Sequence, residues 1–241
     1  VVLRVNSPGG SAYGSEQIWY AISELKKEKP VIVSMGDYAA SGGYYISCNA
    51  DTIVAEPTTL TGSIGIYGQV PNIKGLTDKI GVTFDVAKTN SYADFGVITR
   101  PMNEGEKQLM QAYINRGYDL FITRCSEGRG ISKADMEQMA QGRVWSGLAA
   151  KELGLVDELG GLDKAIEIAA AKAGIESYTQ MNYPGKNSFW ESLINADPGN
   201  YIRMQLLDGE MKELYKQANM WKQLEKQDFI QARMPFDLKI Q

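Results

Sequence analysis

Ser41 is the residue of this sequence whose surroundings best suit a chemical role. It stands in "DYAASGGYYIS" (37–47), between the apolar run "VIVSM" (31–35) and the pair Gly42 and Gly43. A nucleophilic serine sits where a strand turns sharply into a helix, so that its oxygen projects into a cleft. Backbone N–H groups must also approach the oxyanion closely, which glycine permits. The stretch therefore predicts a strand, a turn and a helix, with Ser41 at the turn as a candidate nucleophile.

A second glycine pair follows the preceding predicted strand. The stretch "NSPGG" (6–10) ends the apolar run at 1–5 and supplies backbone amides at Gly9 and Gly10. Because the carboxyl ends of neighbouring parallel strands meet at one edge of a sheet, we expect the two glycine pairs to lie close together. A single small-residue turn of this kind is most often structural. Two of them favour a site that stabilises an oxyanion.

The chain contains no histidine among its 241 residues. Ser-His-Asp and Cys-His catalysis and His-based zinc sites therefore cannot be built within it. Lys, Asp, Glu and Tyr remain as proton-transfer groups. Cys48 and Cys125 are too few for a disulfide framework or a zinc site, and we expect two free thiols. A serine hydroxyl without a base is a weak nucleophile, so the sequence leaves open what would accept the proton of Ser41.

The composition is that of a soluble globular protein, with 44% hydrophobic and 22% charged residues. A net charge of −4, with no basic block, argues against a nucleic-acid partner. No apolar run approaches the ~18 residues needed to span a bilayer, and no secretory signal is visible. The chain opens with Val1 inside an apparent strand, so we expect it to be a piece of something longer.

Apolar β-rich runs alternate with helical patterns along the chain, which predicts an α/β fold. After Pro184 no comparable alternation continues, and we expect residues 176–241 to form a C-terminal extension of a domain at 1–175. Its Met and aromatic residues could cover an apolar groove or contact a neighbouring subunit.

The predicted strands lie at 1–5, 31–35, 51–56, 63–68, 82–87 and 178–184, with a turn at 57–62. One helix is predicted to begin at Ser15, a second to span 103–129 and a third to follow the capping pattern of Ser132 and Asp135. Two short helices are predicted within 147–174.

Several motifs together resemble one protein family. The stretches "VVLRVNSPGGSAYGSEQI", "KPVIVSMGDYAASGGYYIS", "TTLTGSIGIYG" and "MAQGRVWSGLAAKELGLVDELGGLDKAI" are similar, in order and spacing, to the signal peptide peptidase A family of bacterial serine proteases, the S49 peptidases. The resemblance covers roughly residues 1–175. It implies a spiral of β-β-α units like that of crotonases and the caseinolytic protease, here with a helical C-terminal extension.

The resemblance also implies roles for particular residues. Ser41 matches the nucleophile and Ser63, in "TGSIG", matches the serine that orients the base. Gly9 and Gly42 match the oxyanion-hole amides, and the adjacent Gly10 and Gly43 are expected to bind substrate. The base of the family is a lysine, whose pKa can be lowered by burial in an apolar cleft. The mechanism needs no cofactor and no metal.

The expected lysine is missing from this chain. In "AKTNSYADFG" (87–96) the lysine position is occupied by Ala93, while the following Asp94 is retained. This pattern resembles the C-terminal half of the long, tandem-duplicated family members, in which the lysine comes from the other half. We therefore expect an N-terminal half to supply the base, and the isolated chain to be inactive. Lys88 is the only nearby substitute.

The family further implies a substrate, a location and an assembly. The substrates would be residual signal peptides or other apolar, extended peptides, paired to an exposed strand edge. The expected setting is a homo-oligomer in the bacterial cell envelope, attached to the inner membrane by a segment outside this chain, with the catalytic domain on the extracytoplasmic side. Two alternatives stay open: a crotonase-like acyl-CoA enzyme, which needs an acid–base carboxylate, and a non-catalytic half that scaffolds its partner.

Overall fold

The protein divides into two compact units. The computed structural model describes residues 1–184 and 230–233. The first unit comprises Val1–Ile175 with Asp228–Gln241, and the second comprises Glu176–Gln227. The described part of the second unit, 176–184, contains no helix or strand, so the strand predicted at 178–184 is wrong. The C-terminal extension was predicted to be helical, but its described residues 230–233 form a strand in the first unit. Residues 185–229 and 234–241 of that prediction lie outside the described residues.

Strands and helices alternate along the described chain, which confirms the predicted α/β class. The strands are β1 (Val2–Ser7), β2 (Gly9–Ser11), β3 (Ile32–Ala40), β4 (Thr52–Ala55), β5 (Leu60–Gly62), β6 (Tyr67–Gly68), β7 (Val144–Ser146), β8 (Glu158–Leu159) and β9 (Ile230–Arg233). The helices are α1 (Ala12–Leu25), α2 (Gly42–Ser47), α3 (Lys74–Lys79), α4 (Glu104–Arg129), α5 (Lys133–Met139), α6 (Gly147–Glu152) and α7 (Leu162–Ala173).

β3 is the central strand of the main, mostly parallel sheet. β1 pairs with one edge of β3, while β4 and then β5 pair with the other edge. β8 extends the sheet beyond β4 in parallel, and β7 extends it beyond β5 in antiparallel. Because β1, β3 and β5 run in the same direction, their carboxyl ends meet at one edge, where the turns after them come together.

The apolar run that predicted β3 is buried because helices cover the sheet. Val33 and Met35 are fully buried, as parallel strands with both faces covered require. On one face they belong to a core that includes Tyr45 of α2 and Phe121 of α4, whose rings stack with centroids 4.3 Å apart. A smaller cluster on Ile32 packs against α7. The core therefore fixes α2, the helix that follows Ser41, onto the sheet.

α4 begins and ends as its sequence predicts. Asn103 and Glu106 form a reciprocal capping box, in which each side chain accepts a hydrogen bond from the other residue's backbone amide at 2.8–2.9 Å. Gly130 ends the helix with φ 64°. Ser132 caps α5 as predicted, accepting from the Asp135 amide at 3.1 Å.

Other predicted strands differ from the structure. Residues 82–87 are exposed and pair with no other strand in the described ranges, so that prediction is wrong: an alternating pattern alone does not satisfy a strand's backbone groups. Of the strand predicted at 63–68, only residues 67–68 form a strand, because Ser63 adopts φ 48° and turns the chain. Residues 60–62 of the turn predicted at 57–62 form strand β5 instead, and β7 was not predicted.

No helix in the described ranges is both long and apolar enough to cross a bilayer.

Candidate active site

Ser41 occupies the turn between β3 and α2 with a strained backbone. Its φ of 54° and ψ of −115° are unusual for a residue with a side chain, and such conformations cost about 1–3 kcal/mol. The turn is held from both sides: the Ser41 amide donates to the Gly62 carbonyl at 2.8 Å, and the Ser41 carbonyl accepts from the Tyr45 amide at 2.8 Å. The predicted strand, turn and helix are therefore present, with Ser41 at the bend.

The two glycine pairs come together beside Ser41. A Cβ atom on Gly42 would lie 3.1 Å from the Gly10 nitrogen and 2.7 Å from Ser15 Oγ. A Cβ on Gly43 would lie 2.6 Å from the Ser7 carbonyl oxygen. Gly42 and Gly43 are the first residues of α2, so their N–H groups have no acceptor inside the helix. Only glycine allows the two turns to approach this closely.

The two glycines of "PGG" differ in their surroundings. Gly9 has φ 106°, which favours glycine, and its amide donates to Ser7 Oγ at 3.2 Å. The Gly10 amide is the one that lies against Gly42. The sequence motif does not distinguish these two amides, because their directions depend on how β1 turns into β2.

Ser63 lies beside Ser41 because β3 and β5 are parallel. Ala40 pairs with Gly62, so both serines stand one residue beyond a matched pair. Ser41 Oγ lies 3.5 Å from the Gly65 carbonyl oxygen, at the limit of a hydrogen bond. Sequence reasoning missed Gly65, although the "GSIG" turn that contains it was part of the quoted motif.

Ser63 lines a cavity of about 400 Å³. Its backbone amide donates to the Arg143 carbonyl at 2.6 Å, which ties this turn to the segment before β7. A larger cavity, of about 820 Å³, is lined mainly by apolar residues of α1 and α4, and Ile66 borders both cavities. The residues lining the smaller cavity are Ser63, Gly65, Ile66, Tyr67, Gln111, Ile114, Asn115, Tyr118, Gln141 and Gly142.

No base for Ser41 is found among the described lysines: none of them makes a hydrogen bond or ion pair with Ser41 or Ser63. The Lys88 ammonium instead donates to Asp94 Oδ1 at 3.0 Å, and Ala93 is exposed. Hydrogen bonds from Arg100, and then from Lys88, lower the pKa of the Asp94 carboxyl below its ordinary value. This segment forms an ion-pair cluster and delivers no amine to the serines.

Ser41 is fully buried in this structure. The carbonyl oxygen of Ala232 would lie 2.8 Å from a Cβ on Gly42, so β9 covers the glycine next to Ser41. Ala232 is itself fully buried and belongs to the same core cluster as Tyr44. The candidate nucleophile is thus buried, and β9 passes over the glycine that follows it.

Other residues that could have carried chemistry have structural roles. Tyr44 donates to the Leu155 carbonyl at 3.0 Å and Tyr45 to Glu16 at 2.6 Å, and burial raises the pKa of both phenols. Asp157 accepts from the Ile53 amide at 2.7 Å and pairs with Arg129. Cys48 and Cys125 are buried free thiols, as predicted.

A strained serine at a strand-to-helix turn, beside converging glycine amides, is the geometry of an acyl-transfer site. Residues 23–176, more than half of the chain, match the model of Peptidase family S49, and the chain belongs to this family. The resemblance read from the motifs is therefore confirmed at the level of family.

Named relatives agree with this assignment. The chain is 46% identical to Protease 4 of Haemophilus influenzae over 70% of its length, and 40% identical to Protease 4 of Salmonella typhi over 85%. It is 42% identical to the chloroplastic serine protease SPPA of Arabidopsis thaliana over 72%. It spans 28%, 33% and 26% of the lengths of these three proteins.

Among solved structures, a mutant of ClpP1 from Listeria monocytogenes superposes with a TM-score of 0.46 at 18% identity. The superposition covers 69% of this chain and 76% of that one.

Proposed function

We propose that this chain is the nucleophile-bearing part of a serine protease that works with a Ser-Lys dyad. One observation carries the proposal: Ser41 is held in a strained turn, with Gly42 following it and Ser63 on the neighbouring strand's turn. The Gly10 nitrogen lies close to Gly42 from the opposing turn. A scaffold has no need to keep these groups together. The names of the relatives as proteases support the same reaction class.

In this mechanism Ser41 Oγ attacks the carbonyl carbon of a peptide bond, and its proton passes to a neutral lysine. The Gly42 amide donates to the oxyanion, together with an amide of the "PGG" turn. The family resemblance assigns that second donor to Gly9, and the neighbouring Gly10 nitrogen would lie 3.1 Å from a Cβ on Gly42. When the C–N bond breaks, the amine leaves with the proton from the lysine. Water then hydrolyses the acyl-enzyme by the same route.

The lysine would come from another half of the protein or another subunit. The Lys88 ammonium forms an ion pair with Asp94, and alanine stands at position 93, where the family resemblance places the lysine. Ser63 and Gly65 line one cavity, and the Gly65 carbonyl oxygen lies 3.5 Å from Ser41 Oγ, so this cavity is where we place the incoming amine. The chain spans only about a third of each Protease 4 relative, which leaves room for such a half in proteins of that size.

The substrates we propose are residual signal peptides and other apolar, extended peptides. The apolar lining of the larger cavity suits such side chains. The setting would be the bacterial cell envelope, with membrane attachment through a segment outside this chain and assembly into a homo-oligomer.

Active-site labelling tests the proposal. In the protein complemented with its lysine-bearing half, a fluorophosphonate should react at Ser41, and Ser41→Ala should abolish the adduct. Ser47→Ala is the matched control, because Ser47 is a buried serine of the same helix that donates to the Gly43 carbonyl. Labelling that persists in Ser41→Ala, or that is absent from the complemented protein, would overturn the assignment.

The source of the base is tested separately. The chain by itself should show no peptide hydrolysis, and the lysine-bearing half should restore it. Hydrolysis by the isolated chain that disappears in Ser41→Ala would show that the base lies within these 241 residues.

A crotonase-like acyl-CoA enzyme is less well supported. That reaction needs an acid–base carboxylate near the oxyanion amides. None of the ten residues that line the Ser63 cavity is Asp or Glu. An acyl-CoA enzyme would also make no covalent use of Ser41, so a Ser41 adduct separates the two functions.

A further inference from the structure

Three residues other than glycine have a positive φ in the described part of the chain. They are Ser41 with φ 54°, Ser63 with φ 48° and Gln141 with φ 58°. A side chain makes such a conformation unfavourable, so it persists only where the surrounding contacts hold it. Ser41 and Ser63 belong to the candidate site, whereas Gln141 lies in the loop between α5 and β7. The contacts that hold Gln141 lead directly to Ser63.

Backbone hydrogen bonds connect the Ser63 turn to this loop at two points. The Ser63 amide donates to the Arg143 carbonyl at 2.6 Å, and the Gly142 amide donates back to the Ile64 carbonyl at 2.9 Å. The two bonds run in opposite directions between the same two segments. A shift of the loop therefore moves Ser63 with it.

Tyr118 of α4 holds the other side of the loop. Its hydroxyl oxygen accepts from the Gln141 amide at 3.2 Å, and its proton is donated to Glu137 Oε1 at 2.9 Å. The Gln141 side-chain amide also approaches the same carboxylate oxygen, at 3.5 Å. The Tyr118 side chain packs against the main core, so the hydroxyl is presented from a fixed position. The Gln141 turn is thus anchored to α4 by one hydroxyl group.

Tyr118 lines the same cavity as Ser63, but its hydroxyl is committed to the loop. A tyrosine hydroxyl has a single proton to donate, and Glu137 accepts it. Burial, and then the bond to Glu137, raises the pKa of the Tyr118 phenol to about 12, so the hydroxyl stays protonated at neutral pH. Any effect of this hydroxyl on the site therefore passes through the loop and not through a proton transfer.

We propose that Tyr118 is a positioning residue for Ser63: its hydroxyl anchors the Gln141 turn, and the anchored loop keeps Ser63 in the conformation that receives the incoming amine. This rests on the proposed function, in which Ser63 orients the lysine. Loss of the anchor allows both strained turns to relax toward ordinary backbone conformations. The reaction should then slow because the amine is less well placed, while peptide binding is unchanged.

Hydrogen exchange tests the anchor without any catalysis. Tyr118→Phe removes the hydroxyl and keeps the ring that packs against the core. In the isolated chain the Ser63 and Gly142 amides should exchange about two- to tenfold faster, which is the effect of losing one hydrogen bond. The rates are measured amide by amide by NMR.

The matched control for exchange is Tyr20→Phe. Tyr20 is an exposed tyrosine of α1 whose hydroxyl bonds to no described residue, so this variant should exchange like the unmodified chain. Unchanged rates at Ser63 and Gly142 in Tyr118→Phe would overturn the proposal. An equal acceleration in the central strand β3 would also overturn it, because it would show a general loss of stability.

A double-mutant cycle tests whether Tyr118 acts through Ser63. In the complemented protein, Tyr118→Phe should slow the fluorophosphonate labelling of Ser41 several-fold, and Tyr20→Phe should leave it unchanged. In a Ser63→Ala background, which has already lost the oriented hydroxyl, Tyr118→Phe should add little. A general structural role predicts the same factor in both backgrounds, and that result would refute the proposal.

Peptide hydrolysis decides the matter if Ser63→Ala labels too slowly to measure. Tyr118→Phe should lower kcat several-fold and leave KM unchanged, because the hydroxyl affects the amine and not the peptide. A rise in KM at unchanged kcat would contradict a positioning role.

These measurements distinguish this proposal from the protease itself. If the complemented, unmodified protein forms no Ser41 adduct, the proposed function fails, and hydrogen exchange still shows whether Tyr118 holds Ser63. If it forms the adduct and Tyr118→Phe forms it equally fast, the protease stands and Tyr118 has no positioning role.

Discussion

Ser41 adopts a conformation that a residue with a Cβ avoids, and its neighbours explain why it persists. The Gly62 carbonyl and the Tyr45 amide hold its backbone from opposite sides. Gly42 and Gly43 can follow only because they have no side chains to meet the opposing turn. At the residue scale, the site is thus a close contact of two backbone turns.

Gly43→Ala tests this contact. The new Cβ would lie 2.6 Å from the Ser7 carbonyl oxygen, so the turn after β1 would have to shift. We expect a loss of stability of about 1–3 kcal/mol, measured by urea denaturation.

The matched control is Gly75→Ala. Gly75 lies in helix α3, and a Cβ there meets no atom within 4 Å. Because alanine is about 1 kcal/mol better than glycine inside a helix, this variant should be as stable as the unmodified protein or more so. A neutral Gly43→Ala would mean that the two turns are not in contact.

At the scale of elements, the start of α4 is held by a cluster of charges. Glu106 is fully buried, accepts from the Asn103 amide and forms a two-pronged pair with Arg100 at 2.6–2.7 Å. Arg100 also bonds Asp94, which Lys88 contacts. The cluster joins the segment 87–96, where the family resemblance places the lysine, to α4, the helix that lines both cavities.

This cluster predicts a dependence of stability on pH. The bonds from Arg100, and then from Asn103, lower the pKa of Glu106 from 4.5 to about 2. A carboxyl with a lowered folded-state pKa stabilises the protein above its unfolded pKa and loses that effect as pH falls through the folded value. The contribution of Glu106 should therefore disappear between about pH 4.5 and pH 2.

Glu106→Gln is expected to lower the melting temperature at pH 7 by several degrees, with the difference shrinking through that pH window. Glu104→Gln is the control, because Glu104 is an exposed carboxyl in the same helical turn. Thermal melts of the three proteins at about pH 7, 4 and 2.5 measure the effect. A constant difference across this range would contradict a role for the Glu106 charge.

At the scale of the whole molecule, long-range contacts fasten the helices to the sheet around the site. Arg129, at the end of α4, donates to Asp157 and to the Gly154 carbonyl, while Asp157 accepts from the Ile53 amide of β4. The Arg129 side chain is only 7% exposed. This pair therefore connects three parts of the chain that are far apart in sequence.

Arg129→Met should destabilise the protein by about 2–3 kcal/mol, because it leaves the Asp157 carboxylate and the Gly154 carbonyl short of a partner. Arg116→Met is the matched control, since Arg116 is an arginine of the same helix whose guanidinium lies over the Tyr113 ring and forms no ion pair with a described residue. Urea denaturation at neutral pH measures both. Equal stability of the two variants would show that the pair adds nothing to the fold.

The features that could be predicted from the sequence are local ones. The apolar run before Ser41, the glycines after it, the capping residues of α4 and α5 and the family motifs each depend on neighbours a few residues away. The same local rules failed at 82–87, where the pattern is that of a strand but no partner strand lies alongside in the described ranges.

Which groups meet in the site depends on contacts between residues far apart in the sequence. The parallel register of β3 and β5 brings Ser63 and Gly65 to Ser41, and the crossing of two turns brings the Gly10 nitrogen close to Gly42. The pairing of β9 with β2 and β6 joins strands from opposite ends of the chain. No local signal encodes such pairings, because two open strand edges accept any extended backbone.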